Sequence, residues 1–530
     1  MVRRFFPSIR PVSINGPSDL RETRHLDTSD VLHAHYVSCD KRTCYVPCLR
    51  LLLTAWAGRV TIDILPDDVL LHIFHFVRVI CADSMRFPNY RRRGKNMVRW
   101  PPSWWHPIVH VCRNWRSVVF ASPRFFDVRL VCNPTTRVEL MDVWPPLPII
   151  ITNGVYFPLP EDCNFDVAIV HRNRIGKISL HLTSSQLQRL ASTMQEPFPA
   201  LVNLKLKLHK HPNHPAPALP DGFLGESAPR LQSLRLESIS FPALPKLLLS
   251  TTDLIRLELC YIPHAGYISP EVLITALAVL ANLEFLTIEF EFPPSPRDQE
   301  GRPPPPLTCI TLPALTSFTF KGIGEYLEDL VAYVDAPLLD FIQITFFHQP
   351  MFEIPQLAQF MRRTTRLKAP NEARVHLDNV GVWVKFLPQA GAFDKGSVLG
   401  ISCKVLKWQL SSLAQLLTSF FPSIYMVEQL YIFPTHVLPS RWPDDAENTQ
   451  WLEFFHPFTA VKDLYVSKEF VRSIAPALQD LVGERVRDVL PDLESLFWGT
   501  LQSSQGDIAQ FVTARQLLGR PIAVSHWKGQ

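Results

Sequence analysis

Ala200-Leu-Val-Asn-Leu-Lys-Leu-Lys-Leu208 is the stretch that decides the fold. Leu204, Leu206 and Leu208 alternate with Asn203, Lys205 and Lys207, the period-two pattern of a short strand with one buried face. With Leu201 ahead of them they form the template Leu-x-x-Leu-x-Leu. The template returns at Leu231/Leu234/Leu236, Leu254/Leu257/Leu259 and Leu283/Leu286/Ile288. Further copies follow at Leu315/Phe318/Phe320 and Leu339/Ile342/Ile344. Weaker ones lie at Val427/Leu430/Ile432, Val461/Leu464/Val466 and Leu493/Leu496/Trp498.

The first six copies stand roughly 23 to 32 residues apart, near the period of leucine-rich repeats. Between them, Pro270–Ala281 and Glu353–Arg363 carry apolar residues at helical spacing. One strand plus one helix per copy predicts an α/β repeat, a degenerate leucine-rich-repeat-like solenoid over about 170–515. Between about 365 and 420 the template yields no register. The run Pro293–Pro306 reads as a solvated rim loop, and 516–530 as a C-terminal tail.

Composition agrees. Proline is abundant, 48 against 20 glycines in 530 residues. Several prolines recur shortly before the first leucine of a copy, at 199, 229, 313, 337 and 491. There they are expected to end one helix and open the next strand, since proline donates nothing to a ladder. Collagen is excluded by the low glycine, and long coiled coils by the scattered prolines. Apolar residues at 47% and charged ones at 19% exclude wholesale disorder. The net charge of +4 gives no bulk case for nucleic-acid binding. No run of 18 uncharged apolar residues exists, so no membrane span is expected. The opening MVRRFFPSIRP is broken by Arg and Pro and does not read as a signal peptide. Ten scattered cysteines suit reduced thiols, and a cytoplasmic or nuclear protein is expected.

Ahead of the repeats, 1–62 shows no period and reads as a poorly ordered extension. At Asp63 a pattern begins. Val69, Leu70, Ile73, Phe74 and Val77 share one helical face, with Pro66, Asp67 and Asp68 suited to its start. After a basic interruption at about 80–103, Ile108, Val109, Cys112, Trp115, Val118 and Val119 again step by three and four. A second helix is predicted from Pro107 to the stop at Ser122-Pro123. Residues 132–169 read as a connector.

These two segments resemble the F-box proteins, specifically the fungal (mushroom-type) ones with a leucine-rich tail. The resemblance rests on Leu65, Pro66, Val69, Leu70, Ile73 and Phe74, then Val111, Cys112, Arg113 and Trp115, and covers about 63–131. Ile508–Val524 is similar to the end of those proteins. The basic insertion is longer than usual for the family. The resemblance implies a substrate receptor in which the F-box binds a Skp-type adaptor and, through it, a cullin–RING ubiquitin ligase. The repeats would hold an unknown protein substrate, and the chain itself would do no chemistry. The implied adaptor-binding residues are Leu65, Pro66, Val69, Leu70, Ile73, Phe74, Ile108, Val109, Cys112 and Trp115. An apolar ridge of Leu65, Pro66, Leu70, Ile73 and Phe74 suits a partner's groove. The alternatives are a helical cap on the solenoid and a leucine-rich interaction scaffold outside any ligase.

Other candidates are weaker. His33, His35, Cys39, Cys44 and Cys48 supply zinc-type ligands, but at spacings of no standard knuckle, so no metal is expected. Arg91-Arg92-Arg93-Gly94-Lys95 reads as a solvated loop rather than a phosphate-contacting patch. Trp104-Trp105 suits either partner anchoring or core packing, and Asp444-Asp445 a solvated loop. No nucleophile elbow, phosphate loop, dinucleotide fingerprint or zinc-protease motif occurs, so neither an enzyme nor a cofactor is expected.

Overall fold

Each copy of the template becomes a strand whose leucines point to one side of a single open sheet. The computed structural model describes 65–86, 105–122, 130–132, 147–153, 168–209, 217–293, 309–349, 351–364, 367, 370–388, 396–403, 406–420, 422–434, 447–481, 488–499 and 508–527. The chain divides into two units, Met1–Asp127 and Val128–Gln530.

The described helices of the first unit are α1 (Asp67–Arg86), α2 (His106–Val109) and α3 (Arg113–Ala121). Asp67 and Asp68 occupy the first turn of α1, where the helix dipole favours negative charge. The single helix expected from Pro107 to Ser122 is broken. Cys112 adopts an extended conformation and caps α3, its Sγ accepting from the Trp115 N–H. Arg116 Nε donates to the Val109 carbonyl at 3.0 Å, satisfying a group freed at the end of α2. The apolar spacing survives because Leu70, Phe74, Trp105, Val109, Trp115 and Val119 all remain buried.

In the second unit the strands are β1 (Leu130–Cys132), β2 (Ile149–Thr152), β3 (Ile175–Leu182), β4 (Asn203–Leu208), β5 (Ser233–Glu237) and β6 (Arg256–Ile262). They continue with β7 (Phe285–Phe290), β8 (Ile310–Thr311), β9 (Ser317–Gly322), β10 (Val334–Asp335), β11 (Phe341–Phe347) and β12 (Glu372–Leu377). The last are β13 (Gly381–Leu387), β14 (Ser397–Ser402), β15 (Gln429–Pro434), β16 (Asp463–Val466), β17 (Ser495–Gly499) and β18 (Ala523–Trp527). All but β8 and β10, which pair with each other, join one mostly parallel sheet. Its helices are α4 (Ser184–Thr193), α5 (Leu244–Leu248), α6 (Pro270–Leu277), α7 (Gly324–Val331), α8 (Pro355–Arg363), α9 (Leu406–Phe420), α10 (Asn448–Phe455), α11 (Val471–Gln479) and α12 (Ala509–Leu517). From α5 to α12 each helix touches the next, so they form one row. Leu204, Leu206, Leu257, Leu286, Phe320, Ile344, Leu430 and Leu464 are buried, while the alternate residues of most strands stay half-exposed. The fold is thus mixed α/β, with an open, mostly parallel sheet.

A main-chain device repeats with the strands. The Val202 carbonyl accepts from both Gln232 and Ser233, that of Gln232 from Ile255 and Arg256, and that of Ile255 from Glu284 and Phe285. Glu284, Thr316, Asn371, Glu428 and Lys462 do the same for their successors. Because only backbone is used, the side chain at this position varies freely.

The prolines act differently from expectation. Leu201, Leu231, Leu315, Leu339 and Leu493 each donate N–H to the carbonyl three residues back, closing a turn. Pro199, Pro229, Pro313, Pro337 and Pro491 sit at the second position of those turns, where a fixed φ near −65° is already correct. They shape the turn into the strand rather than terminating a helix. Nor does every copy carry a helix, since between β4 and β5 the described residues hold only a 3-10 turn at Phe223–Glu226.

The unregistered region is an inversion of strand order. The sheet runs β11-β14-β13-β12-β15, with β13 antiparallel to both neighbours. Asp378 Oδ1 accepts from the N–H groups of Val380 and Gly381, tightening the β12–β13 hairpin. The template misses these strands because β13 runs antiparallel to β12 and β14, which the one-strand, one-helix parallel repeat does not describe. Two expected boundaries also move. The stretch expected to be a connector, 132–169, contains β2, and the stretch expected to be a tail, 516–530, contains β18. Both are short strands without the leucine template. The extension 1–62 with its His/Cys segment, Arg91–Lys95, Trp104, nearly all of the proline loop and Asp444-Asp445 lie outside the described residues.

Candidate interaction surfaces

Helix α1 separates its apolar residues into two stripes. Leu70 and Phe74 are buried, with the Phe74 ring meeting Trp115 edge-on at 4.9 Å. Ile108, Val109 and Trp115 are buried too, Cys112 is half-buried, and Trp105 packs against Phe120 at 5.9 Å. Two of the five ridge residues expected to meet a partner, Leu70 and Phe74, are therefore interior to their own unit. The structure places Pro66, Val69, Ile73 and Phe76 on the other stripe, at steps of three, four and three. Val69 is 38% exposed and Phe76 47%, while Leu65, Ile73 and Val77 are half-buried. Phe76 is the residue the motif overlooked. Its signal was available, since it continues the Pro66–Val69–Ile73 spacing.

In the second unit the sheet face away from the buried leucines carries the side chains that can meet a partner. Its rungs are in register across strands. One reads Ser179, Lys205, Arg235, Glu258, Thr287 and Thr319, and the next His181, Lys207, Glu237 and Cys260. Glu237 pairs with Lys207 and Arg235, and Glu258 with Arg235 and Arg256. Burial opposes the charge on Glu237, yet Lys207 and Arg235 hold its carboxyl below the usual range. Burial and then Lys207 and Lys205 push the His181 imidazole down, so it stays neutral near pH 7.

At β6 one extra residue interrupts the ladder to β7, and Tyr261 takes a positive φ of 53°. Cys260 is buried beside this bulge. Burial and then the nearby Glu289 carboxylate push its thiol up to about 12, which makes it inert as a nucleophile. Glu289 is itself raised by burial, against the attraction of Lys321 and Arg235.

Beyond the inversion the same face turns aromatic. Tyr431, Tyr465 and Phe497 occupy one rung of β15, β16 and β17 and stack at 4.2 and 4.3 Å, each pair within 5° of parallel. Trp527 from β18 meets Tyr431 and Tyr465 edge-on. Gly499 beside it on β17 supplies no side chain there. On β13 the Trp383 ring lies over Gly400 of β14, and a Cβ on that glycine would collide with the indole. His376 packs on Phe433 at 4.2 Å, and burial, then Arg374 and Lys385, lowers its pKa to about 4.

Among the described residues no three His, Cys, Asp or Glu side chains group as metal ligands, and no helix is long and apolar enough to cross a membrane. No family model matches the chain, and a search of curated proteins also finds no match.

Proposed function

We propose that the chain is an F-box substrate receptor of a cullin–RING ubiquitin ligase: residues 63–131 bind a Skp-type adaptor, and a leucine-rich-repeat solenoid holds a protein substrate. The supporting observation is the outward apolar stripe Pro66–Val69–Ile73–Phe76 on a helix whose neighbouring stripe, Leu70 and Phe74, is already buried. Such a stripe is what a partner's groove accepts. The in-register strands, the row of helices and the open sheet face are the architecture a repeat receptor needs. On this reading the receptor performs no catalysis.

Co-expression with a Skp-type adaptor tests the proposal. Wild type is expected to co-purify at micromolar affinity, and Val69→Glu with Phe76→Glu to lose the adaptor while keeping its unfolding midpoint. Phe74→Ala, by contrast, should destabilise the first unit itself by about 3–5 kcal/mol, as expected for a buried aromatic. Wild type that captures no adaptor would overturn the reading. Adaptor capture without recruitment of a cullin would leave an interaction scaffold in its place.

A further inference from the structure

We infer that the outward face of β3–β5 is a docking surface for an acidic, carboxylate-rich peptide segment of another protein; this deepens the receptor reading by naming the substrate's chemistry, and rests on it for the role of the array. Five cations lie together on β3–β6: Lys177, Lys205, Lys207, Arg235 and Arg256. Two acids face them, Glu237 and Glu258, and these serve Lys207, Arg235 and Arg256. Lys177 and Lys205 form no ion pair among the described residues. Worse for the isolated chain, Lys205 sits directly opposite Arg235 and two residues from Lys207. Like charges opposed across a ladder destabilise a sheet. Arg374 and Lys385 are opposed in the same way further along, and there Glu372 pairs with Arg374. Here too the arginine is paired, with Glu237 and Glu258, but five cations share two acids, and Lys205 together with Lys177 is left for an anion from outside the fold.

Lys177 and Lys205 are half-buried, so their charge is not fully screened; beside them burial, then Lys207 and Lys205, lowers the His181 imidazole. Ser179, Asn203 and Ser233 stand among the cations as hydrogen-bonding neighbours. Size and extent select the occupant. From β3 to β5 is two strand spacings, about 10 Å, which carboxylates three residues apart on an extended peptide can span at about 3.3 Å per residue. A nucleic-acid strand needs a longer basic track. Here the track stops, because the corresponding positions on β7, β9 and β11 are Thr287, Thr319 and Gln343.

The test is fluorescence anisotropy on the full chain with a labelled decapeptide of Glu and Ser in which Glu recurs at every third position. A length-matched Lys/Ser peptide and a 20-mer of oligothymidylate serve as competitors for classification. The Glu/Ser peptide is expected to bind and to weaken as salt rises from roughly 50 to 200 mM. Lys177→Glu with Lys205→Glu should weaken it about tenfold or more, since four units of charge change at a partly buried site. Lys177→Gln with Lys205→Gln, compared at its own urea midpoint, gives the same reading if the reversal variant fails to fold. Absent binding, binding unchanged in the variants, or tighter binding of oligothymidylate lost in the same variants would each overturn the inference. The two proposals separate cleanly. Peptide binding without adaptor capture sinks the receptor reading alone, and adaptor capture without peptide binding sinks this one.

Discussion

Strands β3–β6 and strands β15–β18 share one backbone plan and present opposite chemistry. On β3–β6 and on β15–β17 an apolar residue points inward at every second position and is buried, while the edge strand β18 leaves Val524 40% exposed. Outward, the first set carries the chain Lys207–Glu237–Arg235–Glu258–Arg256, and the second the stack Tyr431–Tyr465–Phe497. Parallel in-register strands bring equivalent positions to about 4.8 Å from each other. That spacing suits stacked rings, which need nothing else. It is unfavourable for repeated cations, which must alternate with acids or await an external anion. The inward face is thus set by packing, whereas on the outward face the register rewards one residue class and penalises another.

The largest predicted effect tests whether the inward faces are equivalent. Leu206→Ala in the charged region and Leu464→Ala in the aromatic region should each cost about 2–5 kcal/mol by urea denaturation. A large difference between them would break the premise that one core runs under both.

Next comes the charged region's own chemistry. Glu237→Gln should cost about 1.5–3 kcal/mol at pH 7, because Lys207 and Arg235 lose a shared, nearly buried acceptor. Glu237 has a lowered folded pKa, so its contribution is present above the unfolded value near 4.5 and vanishes as pH falls below it. The penalty of the variant should therefore fade on acidification through that range. On β12, which borders the aromatic region through Phe433, the window lies higher. His376 is lowered from 6.5 to about 4, so the stability tied to its neutral form is present above pH 6.5 and lost as pH falls toward 4. His376→Gln should flatten the stability profile between those limits. His181 shifts in the same direction and leaves some slope behind.

A smaller effect sharpens the contrast. Tyr465→Leu, which keeps apolar bulk but removes two stackings, should cost about 1–2 kcal/mol. A double-mutant cycle with Phe497→Leu should show coupling. Lys205→Ala should fall within about 0.5 kcal/mol of wild type or stabilise it, since it relieves the opposition to Arg235. Marked destabilisation by Lys205→Ala would mean that the lysine has a structural partner within the fold.

Much of this was legible in the sequence. Leu204/Leu206, Leu234/Leu236 and their successors announced strands, because a half-buried strand demands period two. Pro199, Pro229 and Pro313 announced where each copy begins, though not that they shape turns, since the closing bond joins backbone groups that composition does not record. Glu372–Ser402 escaped because β13 runs antiparallel to its neighbours, which a parallel one-strand, one-helix template does not describe. On α1, spacing placed Leu70, Ile73 and Phe74 on one apolar face. It could not say that Phe74 meets Trp115, some forty residues on, while Phe76 faces outward.

The sequence by itself determined the local units: which residues alternate, which step by three and four, and where backbone turns. Those follow from the covalent periodicities of strand and helix, which act over a few residues. Tertiary structure alone decided the strand order through β14-β13-β12, the bulge at Tyr261, and the rung that sets Lys205 against Arg235 and Tyr431 against Tyr465. Apart from the β12–β13 hairpin and the β13–β14 pairing, these depend on contacts between residues some twenty to sixty positions apart. No local pattern encodes them, because the energy that selects among registers arises only when the strands meet.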